Sequence, residues 1–554
     1  MPHRLTCLIL LFACFLLTAC ATTDGSDRGS GDTAYGVGGH PQLFDGLGDH
    51  TRLVTTDSQL AQRYFDQGLL WAYGFNHDEA VRCFTRAAQL DPSCAMAWWG
   101  IAYAQGPSYN DGHMNAARTS AAWEAMQEAL AQLDNETPEE YALVRALTVR
   151  YRDPAGEDNG AGTRNAAYAQ RMSAIWADHQ GDADIATLYA EALMLKHPWA
   201  LHHRDGSPAR DETNTIIATL EEALALDPRH PGANHYYIHA VEASADKHRA
   251  LPVADRLSTL TPMAGHLTHM PSHIYVQIGL WDRAVEQNLM ATRTDARYLA
   301  RSPGHYRQHG YIAHNGHMLA FAGMMIGREQ DALAGARAVW HIPDALLETM
   351  GVRYDRAMCS VYEVLRRFGR WDELLAEPAP PTYLKQTTAV WRACRATAYA
   401  AKKDFENAAL EHAAFRELLV ASPNNNLLKL NDLFISGEIA LQQGDWDTAI
   451  QHLEQAAAIE DTMGYGEPPQ WLQPVRHTLG AVYLKAHRYA DAERVYRADL
   501  AKWPGNGWSL FGLTRALEAQ NKTQEAADTR AAFDRAWAQA DHPLNTSCEC
   551  IPDL

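Results

Sequence analysis

Runs that alternate apolar and polar residues are missing from this chain, which excludes a sheet-based fold. Clustered basic residues are missing too: 48 Lys and Arg stand against 67 Asp and Glu, for a formal net charge of -19. Binding a phosphate backbone needs the opposite sign, so nucleic acid is excluded as a partner. No CxxC pair occurs, which removes zinc-ribbon and thioredoxin chemistry. Nucleophile-elbow, Walker and Rossmann signatures are absent where they would matter. The one conspicuous apolar run, LILLFACFLLTAC near the start, is too short for a comfortable membrane span.

That run follows a basic start, MPHRLTC, and reads as an export signal over residues 1–19. Leu17-Thr18-Ala19-Cys20 resembles the lipobox of bacterial lipoproteins. The resemblance implies cleavage before Cys20 and lipid on its thiol, giving a membrane partner through the N-terminus. Ala21, rather than Asp, implies sorting to the outer membrane; a plain signal peptide with an incidental cysteine is the alternative. Residues 20–55 hold this cysteine and a tether rich in Gly, Ser, Asp and Thr, so the body is expected in the periplasm or at the cell surface. Six later cysteines remain: Cys83, Cys94, Cys359, Cys394, Cys548 and Cys550. Cys83 with Cys94, Cys359 with Cys394 and a tail link are possible pairings in an oxidising compartment.

The body is rich in Ala, Leu, Glu and Arg at helical spacing, broken by LDPS, LDPR and LTPM. Residues 61–92 resemble a tetratricopeptide repeat, with Ala80, Phe84, Ala87 and Pro92 on the family's second-helix pattern and Leu69 and Leu70 in place of the small first-helix residue. The phrasing returns around Ala284, Ala449, Ala492 and Ala526. The resemblance implies an all-α solenoid of roughly ten to twelve helical hairpins. An N-terminal solenoid over 56–345, a C-terminal one over 346–545 and a tail over 546–554 are expected. Residues 153–163 and 197–212 read as inserted loops.

Eleven of the 26 histidines lie between 230 and 317. The repeat register places position 1 of three successive first helices at Pro231, Gly265 and Ala313, and in the family positions 2, 5, 9 and 12 face the concave groove. Position 5 is His235, His269 and His317; position 9 is His239, His273 and Phe321; position 2 includes His266 and His314; position 12 adds Glu242. Seven histidines thus share the groove, and the row His235, His269 and His317 is the expected three-imidazole set for a metal. Seven are too many for one ion, so two ions, or ligands with supporting neighbours, are implied.

Imidazole ligation suits transition metals such as copper or zinc and excludes magnesium and calcium, which take oxygen. Paired three-histidine clusters resemble dinuclear copper sites in outline only. Glu242 is a candidate ligand or general base. Pro271 threatens the middle helix, which can begin there and leave His266 and His269 in a loop. Trp99 and Tyr103 are candidate pocket residues at positions 5 and 9, and His305 and His309 candidate caps. Two functions follow: a metal site, with oxidation or hydrolysis if a substrate pocket adjoins it, or a non-catalytic scaffold holding an envelope protein or peptide in the groove. Convergent ring nitrogens favour the first and an open apolar trough the second.

Overall fold

The structure, a computed structural model, describes residues 41–302 and 308–551, and among these no strand occurs. The expected signal, Cys20 and His305 lie outside the described residues, as does the side chain of His309. The helices pair into about twelve antiparallel hairpins, as in Gln59–Tyr73 with His77–Leu90 and Val475–Lys485 with Tyr489–Lys502, so the chain is an all-α solenoid. No helix among the described residues is long and apolar enough to cross a membrane.

Local chemistry sets the ends of these helices. Asn76, Asp182 and Asn506 each accept from a backbone N–H in the first turn of the helix they precede. The turn inside a hairpin repeatedly needs a left-handed residue. Glycine fills it at Gly279, Gly327, Gly369 and Gly444, but Phe75, Lys403, His487 and Asn521 occupy the same place with φ between 57° and 64°.

Hairpins stack through an aromatic wedge. Phe84 is fully buried, and a Cβ added to Gly68 or Gly100 would lie 2.8 or 2.4 Å from its ring. Gly68 is therefore the small first-helix residue, one position before the Leu69 and Leu70 that the repeat pattern seemed to offer. Tyr496 repeats the device between Gly480 and Gly512.

The C-terminal hairpins also pack on the central ones. Trp281 Nε1 donates to the Pro504 carbonyl at 2.7 Å and Trp508 Nε1 to the Met324 carbonyl at 2.7 Å. The described residues hold together as one unit across the boundary expected near residue 345. Cys83, Cys94, Cys359 and Cys394 are buried free thiols, so the two internal pairings are not made; Cys548 and Cys550 in the tail are bonded to each other.

Pro271 divides the middle histidine helix into two segments without making a loop of either. Gly265–His269 and Pro271–Gln277 are joined by Met270 with φ -50° and ψ -36°, so the backbone stays right-handed helical and His266 and His269 are not in a loop. The same helix begins under Asp295, whose Oδ1 would lie 2.0 Å from a Cβ on Gly265. Gly265→Ala is expected to destabilise the fold by about 1–3 kcal/mol through overpacking, read as a lower thermal midpoint.

Candidate metal centre

Six of the seven register-selected histidines converge, but in a different grouping from the expected row. His235 and His239, one turn apart on Pro231–Val241, meet His266 from the next first helix. His269 and His273, again one turn apart, meet His314 from the helix after that. Positions 5 and 9 of one repeat thus join position 2 of its successor, twice over. In each group the candidate ligand atoms lie within 4.8 Å of one another. The groups adjoin, with ring centroids 5.9 Å apart for His266 and His269 and 5.7 Å for His239 and His273. His317 is buried with an unpartnered Nε2 but joins neither group.

Neighbours fix the tautomer of four of the six rings. The Tyr73 carbonyl can only accept, so His235 Nδ1, 2.6 Å away, carries the proton and Nε2 keeps its lone pair. Asn288 donates through Nδ2 to the Ala284 carbonyl, which turns its Oδ1 toward His269 Nδ1 at 2.6 Å and sets that ring the same way. Glu242 spans both groups: Oε1 accepts from His239 Nδ1 at 3.0 Å and Oε2 from His273 Nδ1 at 2.7 Å. Both its oxygens face imidazoles of the two groups, which sets it behind those rings, and His239, Glu242 and His273 themselves lie close enough together to hold an ion.

What remains is a set of Nε2 atoms with nowhere else to go. Those of His235 and His239 and both nitrogens of His266 are buried without a partner. Each such group costs about 1–3 kcal/mol if left unsatisfied. In the second group His269 Nε2 and His273 Nε2 are 2.7 Å apart, with His314 Nε2 3.4 Å from the latter. Two lone pairs that close need a cation between them, a proton or a metal ion.

Electrostatics agree. Burial pushes the pKa of His235 and of His314 down to about 3, aided by the nearby His273, and holds those of His239, His266 and His269 well below the usual value, so these rings are neutral and free to ligate. His273 is the exception. Burial would lower it, but the Glu467 and Glu242 carboxylates outweigh that and raise it to about 10.

Aromatic rings wall the centre. Phe75, the non-glycine residue in a left-handed turn, packs on His235 at 4.5 Å and on His266 at 5.6 Å, a strained backbone placed beside the cluster. Tyr311 lies 4.3 Å from His266. From the inserted loop after residue 197, Trp199 stacks on Tyr109 at 5.2 Å, and both reach His239. Glu467 arrives from the segment between Trp446–Thr462 and Val475–Lys485 and pairs with His273. None of these neighbours occupies a groove position of the histidine repeats, so the register had no means of finding them.

The remaining candidates lie elsewhere. Trp99 and Tyr103 stack on each other at 5.0 Å in the interior, and the Tyr103 hydroxyl donates to Glu191 at 3.0 Å. Phe321 is buried between Trp281 and Trp503, where the C-terminal hairpins return. These three pack the interior and do not line the histidine centre.

A cavity of about 700 Å³ opens on His239 and Glu242, and one of about 340 Å³ on His273, His314 and His317, with Trp199 in the wall of both. The centre therefore adjoins space for a small molecule on two sides.

No curated protein sequence matches the chain. Among solved structures it is similar to the human IFIT1 dimer with m7Gppp-AAAA, at 12% identity and TM-score 0.32, over 88% of this chain and 92% of that one. It is similar also to the Cut9–Hcn1 hetero-tetramer of APC/C, at 15% identity and TM-score 0.30, over 84% and 78%. Residues 433–464 match the tetratricopeptide repeat model. The chain thus carries a tetratricopeptide repeat within an all-helical array of hairpins.

Proposed function

We propose that this protein holds two transition-metal ions side by side, one in each three-histidine group, and acts as an envelope-anchored metalloprotein. The observation that carries the reading is the convergence of Nε2 lone pairs whose opposite ring nitrogens are already committed to Tyr73, Asn288 and Glu242. All-imidazole ligation supports copper or zinc. Paired groups of three favour copper, whose bound pair would supply oxidation chemistry; zinc would supply hydrolysis. The protein's own part is to fix tautomers through Tyr73, Asn288 and Glu242, keep five of the six rings neutral and screen the site with Phe75, Trp199 and Tyr311. The lipobox-like Leu17-Thr18-Ala19-Cys20 supports anchoring of the body at a bacterial envelope. A peptide scaffold is the weaker reading, because Trp199, Tyr109 and Glu467 occupy the histidine face where a peptide would lie.

Elemental mass spectrometry of the full chain, purified without a polyhistidine tag and loaded with copper or zinc, is expected to give two ions per chain. His239→Ala and His314→Ala, each checked for retained helicity by circular dichroism, are each expected to remove one. No stoichiometric metal in the wild type would overturn the reading.

A further inference from the structure

The larger cavity beside His239 has a chemistry of its own. Its walls combine stacked Tyr109 and Trp199 with Trp471 and Trp503. It also contains the cations Lys247, Arg204 and Lys502 and the acids Glu242, whose oxygens face His239 and His273, Glu460 and Asp461. The acids are occupied: Glu460 accepts from the Val475 N–H at 2.9 Å and lies 3.6 Å from Lys502, and Asp461 takes both terminal nitrogens of Arg476 at 2.8 and 2.6 Å. Two cations are not. Lys247 is half-buried and its side chain donates to the neutral amide of Gln277 at 2.6 Å, and among the described residues no carboxylate comes within ion-pair distance of Lys247 or Arg204. A half-buried ammonium hydrogen-bonded to a neutral amide, with the exposed Arg204 in the same lining, marks a place for an anion in a chain of net charge -19.

We infer that this cavity binds a planar aromatic carboxylate, its acid group on Lys247 and its ring against the Trp199–Tyr109 pair. Flat rings suit these walls, since aromatic pairs favour offset or edge contacts at roughly 4.5–7 Å and Trp199, stacked on Tyr109, remains exposed. The volume of about 700 Å³ accommodates a molecule of two or three fused rings. The ring then lies beside His239, so the inference deepens the proposed metal centre by naming what sits against it, although binding itself needs no metal.

The test uses the full chain stripped of metal by chelator, titrated calorimetrically with 2-naphthoate and with neutral 2-naphthol. Naphthoate is expected to bind the more tightly. Lys247→Gln should weaken naphthoate by about tenfold while leaving naphthol within about twofold, and Lys247→Arg should restore it, because only a charged partner is at stake. Trp199→Ala should weaken both ligands. Equal affinities for the two ligands, or no effect of Lys247→Gln, would sink the inference while leaving the two-ion stoichiometry untouched. Loss of metal stoichiometry with naphthoate binding intact would remove the metal centre and leave this site standing.

Discussion

Glu242→Ala is expected to weaken metal retention in both three-histidine groups at once, by about tenfold or more at each, although it removes no ligand atom. The carboxylate accepts from His239 in one group and His273 in the other, and so sets two tautomers. Without it both Nδ1–H groups are buried with one acceptor fewer, at about 1–3 kcal/mol for a group left unpaired. His239 is then free to flip its tautomer, and His273 keeps only Glu467. Metal titration followed by competition with a chelator would separate this from His239→Ala, which should empty one group and spare the other. Should Glu242→Ala weaken only one ion, the two groups are not coupled through this side chain.

The second large effect lies behind the centre, at Asp184. This buried carboxylate accepts from the Tyr73 hydroxyl at 2.5 Å, His230 Nε2 at 3.0 Å, His50 Nε2 at 3.1 Å and Arg52 at 3.2 Å. The nitrogens of His230 are all engaged, Nδ1 accepting from the Ala233 N–H at 3.0 Å, so this cluster is a satisfied hydrogen-bond hub and not a metal site. Asp184→Asn brings an amide N–H into a place that offers only donors, and should cost about 3 kcal/mol or more, as breaking a buried ion pair does. Burial would raise the Asp184 pKa, but His230 and His50 outweigh it and hold the carboxyl well below the usual range. Its stabilisation is therefore present above about pH 4 and fades as pH falls through the depressed value. Burial would lower His50, but Asp184 outweighs it and raises its pKa. That contribution is full below about pH 6.5 and fades as pH rises through the raised value. The gap in thermal midpoint between wild type and Asp184→Asn should accordingly be widest between about pH 4 and 6.5, and a gap independent of pH would contradict the assignment.

How far the chain could be read in advance depended on what the repeat dictates. Ala80, Phe84 and Pro92 carry the resemblance to the repeat, and the groove positions that the resemblance implies put seven histidines on one face. Grouping them was harder. Successive first helices are offset along the groove, which brings position 2 of one opposite positions 5 and 9 of its predecessor, and this offset is a property of stacking, not of any one helix. Phe321 holds a groove position but meets Trp503 because the C-terminal hairpins come back over it. Trp199, Tyr109 and Glu467 lie in connecting segments, whose course no helical period specifies. Pro271 was ambiguous for a different reason: a proline costs a helix about 3 kcal/mol in isolation, and whether the helix bends or stops is decided by its packing.

That Glu467 lies so far along the chain from the imidazole it pairs with bears on how the centre is assembled. The six histidines belong to consecutive hairpins and can gather from local folding alone, whereas Glu467 and the Trp503 wall of the larger cavity come from hairpins made much later. Contacts between distant parts of a chain form slowly, since a long loop must close first. The imidazoles can thus gather before the hairpins that enclose them, and an ion of the kind proposed would have its freest passage to them in that interval, before the last turns of the solenoid close.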